Sequence, residues 1–317
     1  AVFDTAILGS NPSAPAKLMK KFSLNKIFNK KILRVFFPFY RSQEIKKLFS
    51  ILEKENTKNI QIAMFVGGCV RKHICNENVD DIDIACILTP DEIKKKFQGS
   101  EFKIIETGLE HGSITLILNN SKFEITTLRK DVKTDGRHAD VSFIDDWLED
   151  SNRRDFTINS IYMDKKGNLY DPQSGKIDLQ KKVVKFIGDP TSRIEEDYLR
   201  IIRFLRFSIQ YECEDIDPKT VEAIKLNLDG IKNLSKERMM NELYKIFKLN
   251  NIDVLFGNQS LKEIFLIIFP ELKYLKRLKK LLLVIKNKNI KQEVETIFAS
   301  LLVDETDNYE YFCHKYK

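Results

Sequence analysis

The chain has 317 residues, enough for two or three domains, and its 43% hydrophobic content is ordinary for a protein that buries a core. Its 53 Lys+Arg against 46 Asp+Glu give a formal charge of +7, an excess that permits a polyanionic partner without demanding one. No run of about 18 apolar residues occurs, so no membrane span is expected, and no secretory leader is expected from the first residues.

The five cysteines, Cys69, Cys75, Cys86, Cys213 and Cys313, form no Cys-x-x-Cys pair. Neither a disulfide framework nor a zinc site is expected, and a reducing, cytoplasmic setting is. Residues 1–19 read as a linker or added segment, with Gly9, Pro12 and Pro15 closely spaced. From Lys20 to Phe39 lysines and apolar residues interleave, which fits a covering helix with a solvated lysine face or a basic helix touching RNA or lipid. Ser42 to Leu52 reads as an amphipathic helix.

Short strand signals follow. Ile62–Val66 is apolar and stops at Gly67-Gly68, as a buried strand entering a tight turn does. Asp81–Cys86 alternates polar and apolar. Ser113–Leu118 and Lys122–Thr127, joined by Asn119-Asn120-Ser121, read as a hairpin. Further strands are expected at Ile161–Met163 and Val183–Ile187. Beyond Asp189 helical periodicity takes over. Ile194, Tyr198, Ile201, Ile202 and Leu205 form one stripe on a helix that Ser192 and Glu195 would open as a capping box. Later helices are expected over 237–249, 261–269 and 275–286. The fold class is α+β: a head of about 140 residues with a mixed β-sheet, then an all-α region.

Asp81 and Asp83 stand two apart on a strand and so share a face. Two carboxylates on one face repel unless a cation sits between them. Mg²⁺ suits that place, since it prefers hard oxygens and keeps positions for substrate phosphates and water. A solvated strand face is the alternative. Gly67-Gly68-Cys69-Val70-Arg71 lies upstream; glycines after a strand let backbone amides approach a phosphate, and a helix starting there adds its positive end. It is not a P-loop, because no Gly-Lys-Ser/Thr follows. Glu124, between Phe123 and Ile125, would share a face with Thr126 and supply a third carboxylate, unless it is an ordinary surface Glu.

In this order the elements resemble the head of DNA polymerase β-like nucleotidyltransferases, and most closely the class II branch of CCA-adding tRNA nucleotidyltransferases and bacterial poly(A) polymerases. The resemblance runs from about residue 46 to 250. It is carried by Gly67–Ala85 (GGCVRKHICNENVDDIDIA), Arg153–Asn159 (RRDFTIN) and Arg193–Phe204 (RIEEDYLRIIRF), with Thr134–Ala139 in the place of the family's flexible loop. It implies a nucleotidyltransferase head at 46–188, a base-selecting helical neck at 189–255 and an RNA-binding helical body at 256–317, after an N-terminal segment at 1–45. It implies that Asp81 and Asp83 bind catalytic Mg²⁺ with help from Glu124, and that Gly67, Gly68 and Arg71 hold the triphosphate. Arg154, Asp155 and Asn159 would contact ribose and phosphates, and Arg203 the nucleotide. Asp197 and Arg200 would read the base.

For that last pair the chemistry follows from the residues. An ionised Asp only accepts hydrogen bonds and Arg only donates them. Cytosine and adenine both offer an amino donor beside a ring-nitrogen acceptor, while uracil and guanine reverse that order. One Asp–Arg pair on the polar side of a helix would therefore accept CTP and ATP and refuse UTP and GTP, each mismatched group costing about 1–3 kcal/mol. Without the resemblance the pair reads as a surface ion pair. The expected reaction is addition of C and A to tRNA 3′ ends with release of pyrophosphate; the alternatives are a poly(A) polymerase and a non-catalytic RNA- or nucleotide-binding remnant. The chain departs from the family at Lys72, where an acidic residue is usual, and in stopping at Lys317 inside the body region. His111 and His138 read as loop residues, Trp147 as core, and the lysine-rich stretch from Lys273 to Lys280 as a solvated face or an RNA track.

Overall fold

The computed structural model describes residues 38–57, 60–106, 108–109, 112–134 and 139–316. The linker over 1–19, nearly all of the basic segment from Lys20 to Phe39, His111, His138 and the centre of the loop from Thr134 to Ala139 lie outside those residues.

The first half is a seven-stranded sheet with three of its helices packed on one face. In chain order its elements are α1 (Gln43–Leu52), β1 (Ala63–Val66), α2 (Gly68–Ile74), β2 (Ile82–Cys86), α3 (Pro90–Phe97), β3 (Lys103–Ile105), β4 (Ser113–Leu118), β5 (Ser121–Thr127), β6 (Arg129–Thr134), β7 (Ala139–Phe143), α4 (Trp147–Asn152), β8 (Tyr162–Met163), β9 (Leu169–Tyr170) and α5 (Gly175–Gln180). The strand order is β3-β4-β5-β2-β1-β8-β9, and β6 and β7 form a separate hairpin. Only β2 with β5 runs parallel; the other pairs are antiparallel. The β4–β5 turn is tight, with Leu118 paired to Ser121 and Asn119 in the left-handed region at φ 53°.

Alternation along the strands separates two faces. Ala63, Phe65, Ile84 and Ile125 point into a core with Ile45, Leu48 and Phe49 of α1. Met64, Val66, Ala85 and Tyr162 form a small cluster on the other face. That second face, which also carries Asp83, fronts the cleft described below. Trp147 packs there edge-on to Tyr162 at 5.5 Å, only partly buried at the margin of that cluster rather than within the core.

Val183–Ile187 is not a strand. Only Phe186 bridges, to Phe156, because the partner segment turns at once into a single 3₁₀ turn over Thr157–Asn159 and the ladder cannot continue. From Pro190 onward the elements are helical: α6 (Pro190–Glu196), α7 (Leu199–Gln210), α8 (Pro218–Leu226), α9 (Lys236–Phe247), α10 (Val254–Gly257), α11 (Gln259–Ile268), α12 (Leu275–Lys288), α13 (Val294–Leu302) and α14 (Asn308–Tyr316). The helices expected over 237–249, 261–269 and 275–286 correspond to α9, α11 and α12. Their core includes Phe156, Ile158, Leu179 and Phe186 from the preceding segment, so the last part of the first half packs with the helices. Among the described residues no helix is long and apolar enough to cross a membrane.

The expected helix with a Ser192/Glu195 capping box is two helices with a different start. Asp189 is the N-cap and accepts from the Ser192 amide at 2.9 Å, and Pro190 sets the first helical position. Asp197 then leaves helical geometry (φ −158°, ψ 105°), and α7 begins at Leu199. The apolar stripe spans this break because both helices pack on one core.

Candidate active site

At the end of β1 the chain turns through Gly67, whose φ of 68° favours glycine, straight into α2. A Cβ built on Gly68 would lie 3.8 Å from Asp83 Oδ2, so the turn sits directly against that carboxylate. Asp81 immediately precedes β2 and is exposed; Asp83 lies on β2 and is half-buried. The parallel register pairs Asp83 with Glu124, so strand pairing itself sets the two carboxylates side by side on one face. Burial, and the neighbouring Glu124 and Asp81, push Asp83 up to about 6, against the opposing pull of Arg154 and Arg71. Three acids are thus gathered at one place at an electrostatic cost.

Opposite stands an arginine wall with its own buttresses. Asp150, in the first turn of α4, is fully buried. Its Oδ1 pairs with Arg153 at 2.8 Å and its Oδ2 with Arg154 at 2.9 Å, and the Tyr162 hydroxyl donates to Oδ2 at 2.6 Å. Burial alone would raise its pKa, but Arg154 and Arg153 hold it well below the carboxylate range. Its Oδ1 also accepts from the Arg129 amide at 3.3 Å, at the base of the β6–β7 hairpin.

Asp155 bonds Asn159 Nδ2 at 2.8 Å through Oδ1 and Arg203 at 2.6 Å through Oδ2. Against the effect of burial, Arg203 and Asn159 bring it down to about 2. Its ionised form therefore stabilises the fold above the ordinary value of 3.8, and that contribution is lost as pH falls through about 2. The parent chain should exceed Asp155→Asn in thermal stability by about 2 kcal/mol at neutral pH, with the gap closing between about pH 4 and 2. Melting temperatures of both proteins across that range test this; a pH-independent gap would contradict it.

Asn159 Oδ1 in turn accepts from Arg71, and Arg71 Nε donates to the Tyr211 hydroxyl at 2.6 Å. Burial raises that hydroxyl to about 12, so it stays neutral. Among the described residues no carboxylate bonds Arg71, although it is only 6% exposed. Phe207 supplies its face instead. Arg206, Arg71 and Arg203 stand 4.0, 4.6 and 5.5 Å from that ring centre. Arg203 and Phe207 on α7 and Tyr211 at its C-cap recur every four residues and form one stripe against the glycine turn and Asp155.

The break between α6 and α7 changes the geometry expected for Asp197 and Arg200. They are not two positions on one helix. Asp197 closes α6, and its carboxylate accepts from the Leu199 amide at 3.1 Å and from Arg238 of α9 at 2.7 Å. Arg200, in the first turn of α7, bonds Glu196 at 2.6 Å and the Arg193 carbonyl at 2.7 Å. The Arg200 amide donates to the Asp197 carbonyl at 3.0 Å, their side chains bond other partners, and both open onto the same space.

That space is a cleft of about 720 Å³. It is lined by eleven of the twelve site residues expected from sequence: Gly67, Gly68, Arg71, Asp81, Asp83, Arg154, Asp155, Asn159, Asp197, Arg200 and Arg203. Glu124 stands outside the lining, beside Asp83 on the neighbouring strand. The lining carries ten basic side chains and four acidic ones, which suits an anionic ligand. Sequence reasoning did not reach Arg129, Arg153, Arg206, Phe207, Gln210, Arg238 or Lys245, which also line it, nor the buttresses Asp150 and Glu242. Lys72 lines it too and pairs with Asp80, whose pKa it lowers, so the departure at this position has its own counter-charge.

Two family models match the chain: "Poly A polymerase head domain" over residues 63–185, and "Probable RNA and SrmB-binding site of polymerase A" over 215–276. The human mitochondrial CCA tRNA nucleotidyltransferase 1 is 42% identical over 230 residues, 72% of this chain and 52% of that protein. The chain belongs to the class II family of CCA-adding enzymes and poly(A) polymerases. The CCA-adding enzyme of Staphylococcus haemolyticus is 40% identical over 210 residues, 66% of this chain and 51% of that one. The solved CCA-adding enzyme of Bacillus stearothermophilus in complex with CTP superposes with a TM-score of 0.58 at 27% identity, covering 73% of this chain and 60% of that one. The chain thus spans about half the length of the curated class II relatives it matches. The head match contains the glycine turn, the acids and the Asp150–Asn159 wall, whereas Asp197–Tyr211 lies between the two matched regions.

Proposed function

We propose that this chain transfers nucleotides to the 3′ end of RNA without a template, adding C and A from CTP and ATP to tRNA with release of pyrophosphate. The supporting observation is the cleft itself: paired acids at the start of β2, against a glycine turn, face an arginine wall, with the Asp197/Arg200 elbow on the same lining. The curated relatives named above are CCA-adding enzymes at about 40% identity, which favours this reading.

In this reading Asp81 and Asp83 hold Mg²⁺. Among the described residues no three His, Cys, Asp or Glu side chains form a group that could hold a metal ion, so Asp81 and Asp83 would hold it as a pair and leave the remaining positions to substrate oxygens. The ion supplies Lewis acidity at the reacting phosphate and makes the attacking hydroxyl more acidic. Burial first, and then repulsion from Glu124 and Asp81, raises Asp83, and a bound cation would relieve that repulsion. Arg71 and Arg154 offset charge on the triphosphate, and Gly67 and Gly68 let it approach. Asp155, Asn159 and Arg203 fix the sugar, and Asp197 and Arg200 present acceptor and donor to the base. An ionised carboxylate has about four lone-pair sites, so Asp197 keeps acceptor capacity beside its two present partners. Catalysis rests on positioning and charge neutralisation, with no covalent enzyme intermediate.

We take 46–188 as the catalytic head, 189–255 as the base-selecting neck and 256–317 as a helical body that contacts RNA. The unpaired state of all five cysteines supports a reducing, cytoplasmic setting. The deciding assay incubates the chain with Mg²⁺, labelled CTP or ATP, and tRNAs ending before CCA, after C, or after CC, with an unrelated RNA as control. Growth that stops at CCA is expected. The head model's name supports a second reading, poly(A) addition, which would give long A-tails on any RNA. No incorporation by folded protein would sink both.

A further inference from the structure

We propose that the α9 end of the cleft is a second phosphate subsite, built from Arg206, Gln210 and Lys245, that holds a backbone phosphodiester of the RNA strand being extended. This rests on the transfer reading above and adds a site for the second substrate.

Arg206 and Gln210 stand one turn apart on α7 and both line the cleft, as does Lys245 on α9. Glu242, 3% exposed, ties the two cations together: Arg206 Nε donates to Oε2 at 2.6 Å and Lys245 Nζ to Oε1 at 2.8 Å. Two cations on one carboxylate leave a net positive charge at this end. The geometry is fixed, since the Arg206 guanidinium lies 4.0 Å over Phe207 and uses one of its five N–H donors on Glu242. Lys245 is 55% exposed, so its ammonium is open to solvent and to a ligand entering from that side. Gln210 adds a neutral amide, bonded to the Tyr211 hydroxyl at 3.2 Å.

On the nucleotide side Arg203 has Asp155 and Arg238 has Asp197, while Arg153 and Arg154 share Asp150 and Arg200 shares Glu196 with Arg193. A nucleotide is one ligand, whereas transfer needs a strand whose terminal hydroxyl reaches Asp81 and Asp83. That strand brings one negative charge per nucleotide, and the wall it tracks needs cations that the triphosphate does not use. Glu242 and Lys245 also fall within the region matched by the RNA-binding model, which names no residue or contact.

The test uses the full chain with Lys245→Ala, Lys245→Glu, Lys245→Arg and Gln210→Ala. Binding of a tRNA lacking CCA is measured by filter retention without nucleotide, across a salt series, and KM for CTP is measured alongside. Lys245→Ala should weaken RNA binding by about five- to tenfold, Lys245→Glu by more, and the log–log salt slope should fall by about one. Lys245→Arg should restore both, Gln210→Ala should weaken binding by about twofold, and KM for CTP should stay within about twofold of the parent. Unchanged RNA affinity and slope overturn the subsite, as does an effect confined to KM for CTP. A Lys245 that only completes the Glu242 ion pair would move the melting temperature and leave RNA affinity unchanged. Because binding is read without turnover, failure of the transfer reading appears separately, as absent incorporation by the parent chain.

Discussion

Asp83→Asn should abolish nucleotide incorporation, by at least about a thousandfold, while making the protein more heat-stable. The first half follows from the proposed role of Asp83 as one of two carboxylates that would hold the metal, whose loss would cost several kcal/mol of charge stabilisation at the reacting phosphate. The second follows from the sign of the Asp83 shift. A folded-state value near 6 means that ionised Asp83 opposes folding at neutral pH, on the order of 2 kcal/mol, through burial and the nearby Glu124 and Asp81. A neutral amide of the same shape removes that penalty, so Tm in metal-free buffer should rise by about 3 °C. Primer extension resolved at single nucleotides, with calorimetry on the same samples, checks both. Retained activity would remove Asp83 from the mechanism, and a lowered Tm would show that the carboxylate is compensated in another way.

Asp150→Asn should have the larger effect on stability, in the opposite direction. One fully buried carboxylate serves Arg153, Arg154 and the Tyr162 hydroxyl together. Neutralising it leaves two largely buried guanidiniums without their counter-charge, a change that costs about 3 kcal/mol and lowers Tm by about 4–5 °C. KM for CTP and ATP should rise in the surviving folded protein, because Arg154 loses the partner that fixes its plane in the cleft. Asp150→Glu should recover part of the stability. Wild-type stability in Asp150→Asn would mean that water or Tyr162 alone satisfies the pair.

The strands and the acidic motif were legible because their signals are local. Alternation at Asp81–Cys86 follows directly from a pleated strand with one buried face, and Gly67-Gly68 marks a turn that only a small residue enters easily. The α6–α7 break was hidden, because the apolar stripe from Ile194 to Leu205 satisfies helical spacing whether or not Asp197 stays in the helix. Val183–Ile187 has a strand's composition, yet its partner turns away after one bridge. The buttresses were out of reach for a different reason. Tyr211 lies 140 residues from Arg71, and Glu242 lies 36 from Arg206, so no local spacing records either pair. Asp150 sits near Arg154 in sequence, but nothing there indicates that it is buried.

The stripe of Arg203, Phe207 and Tyr211 has a consequence for how the molecule comes apart. It fastens one helix to Asp155 and to the glycine turn through buried cation contacts, and Phe156, Ile158 and Phe186 already share the helices' core. Opening the cleft like a jaw would expose Arg71 and strip Phe207 of its guanidinium neighbours. The two walls should therefore melt in one cooperative transition and exchange their amide protons as one unit. A pocket that keeps its shape before any ligand arrives discriminates by fit, and its preference is already written into the empty protein.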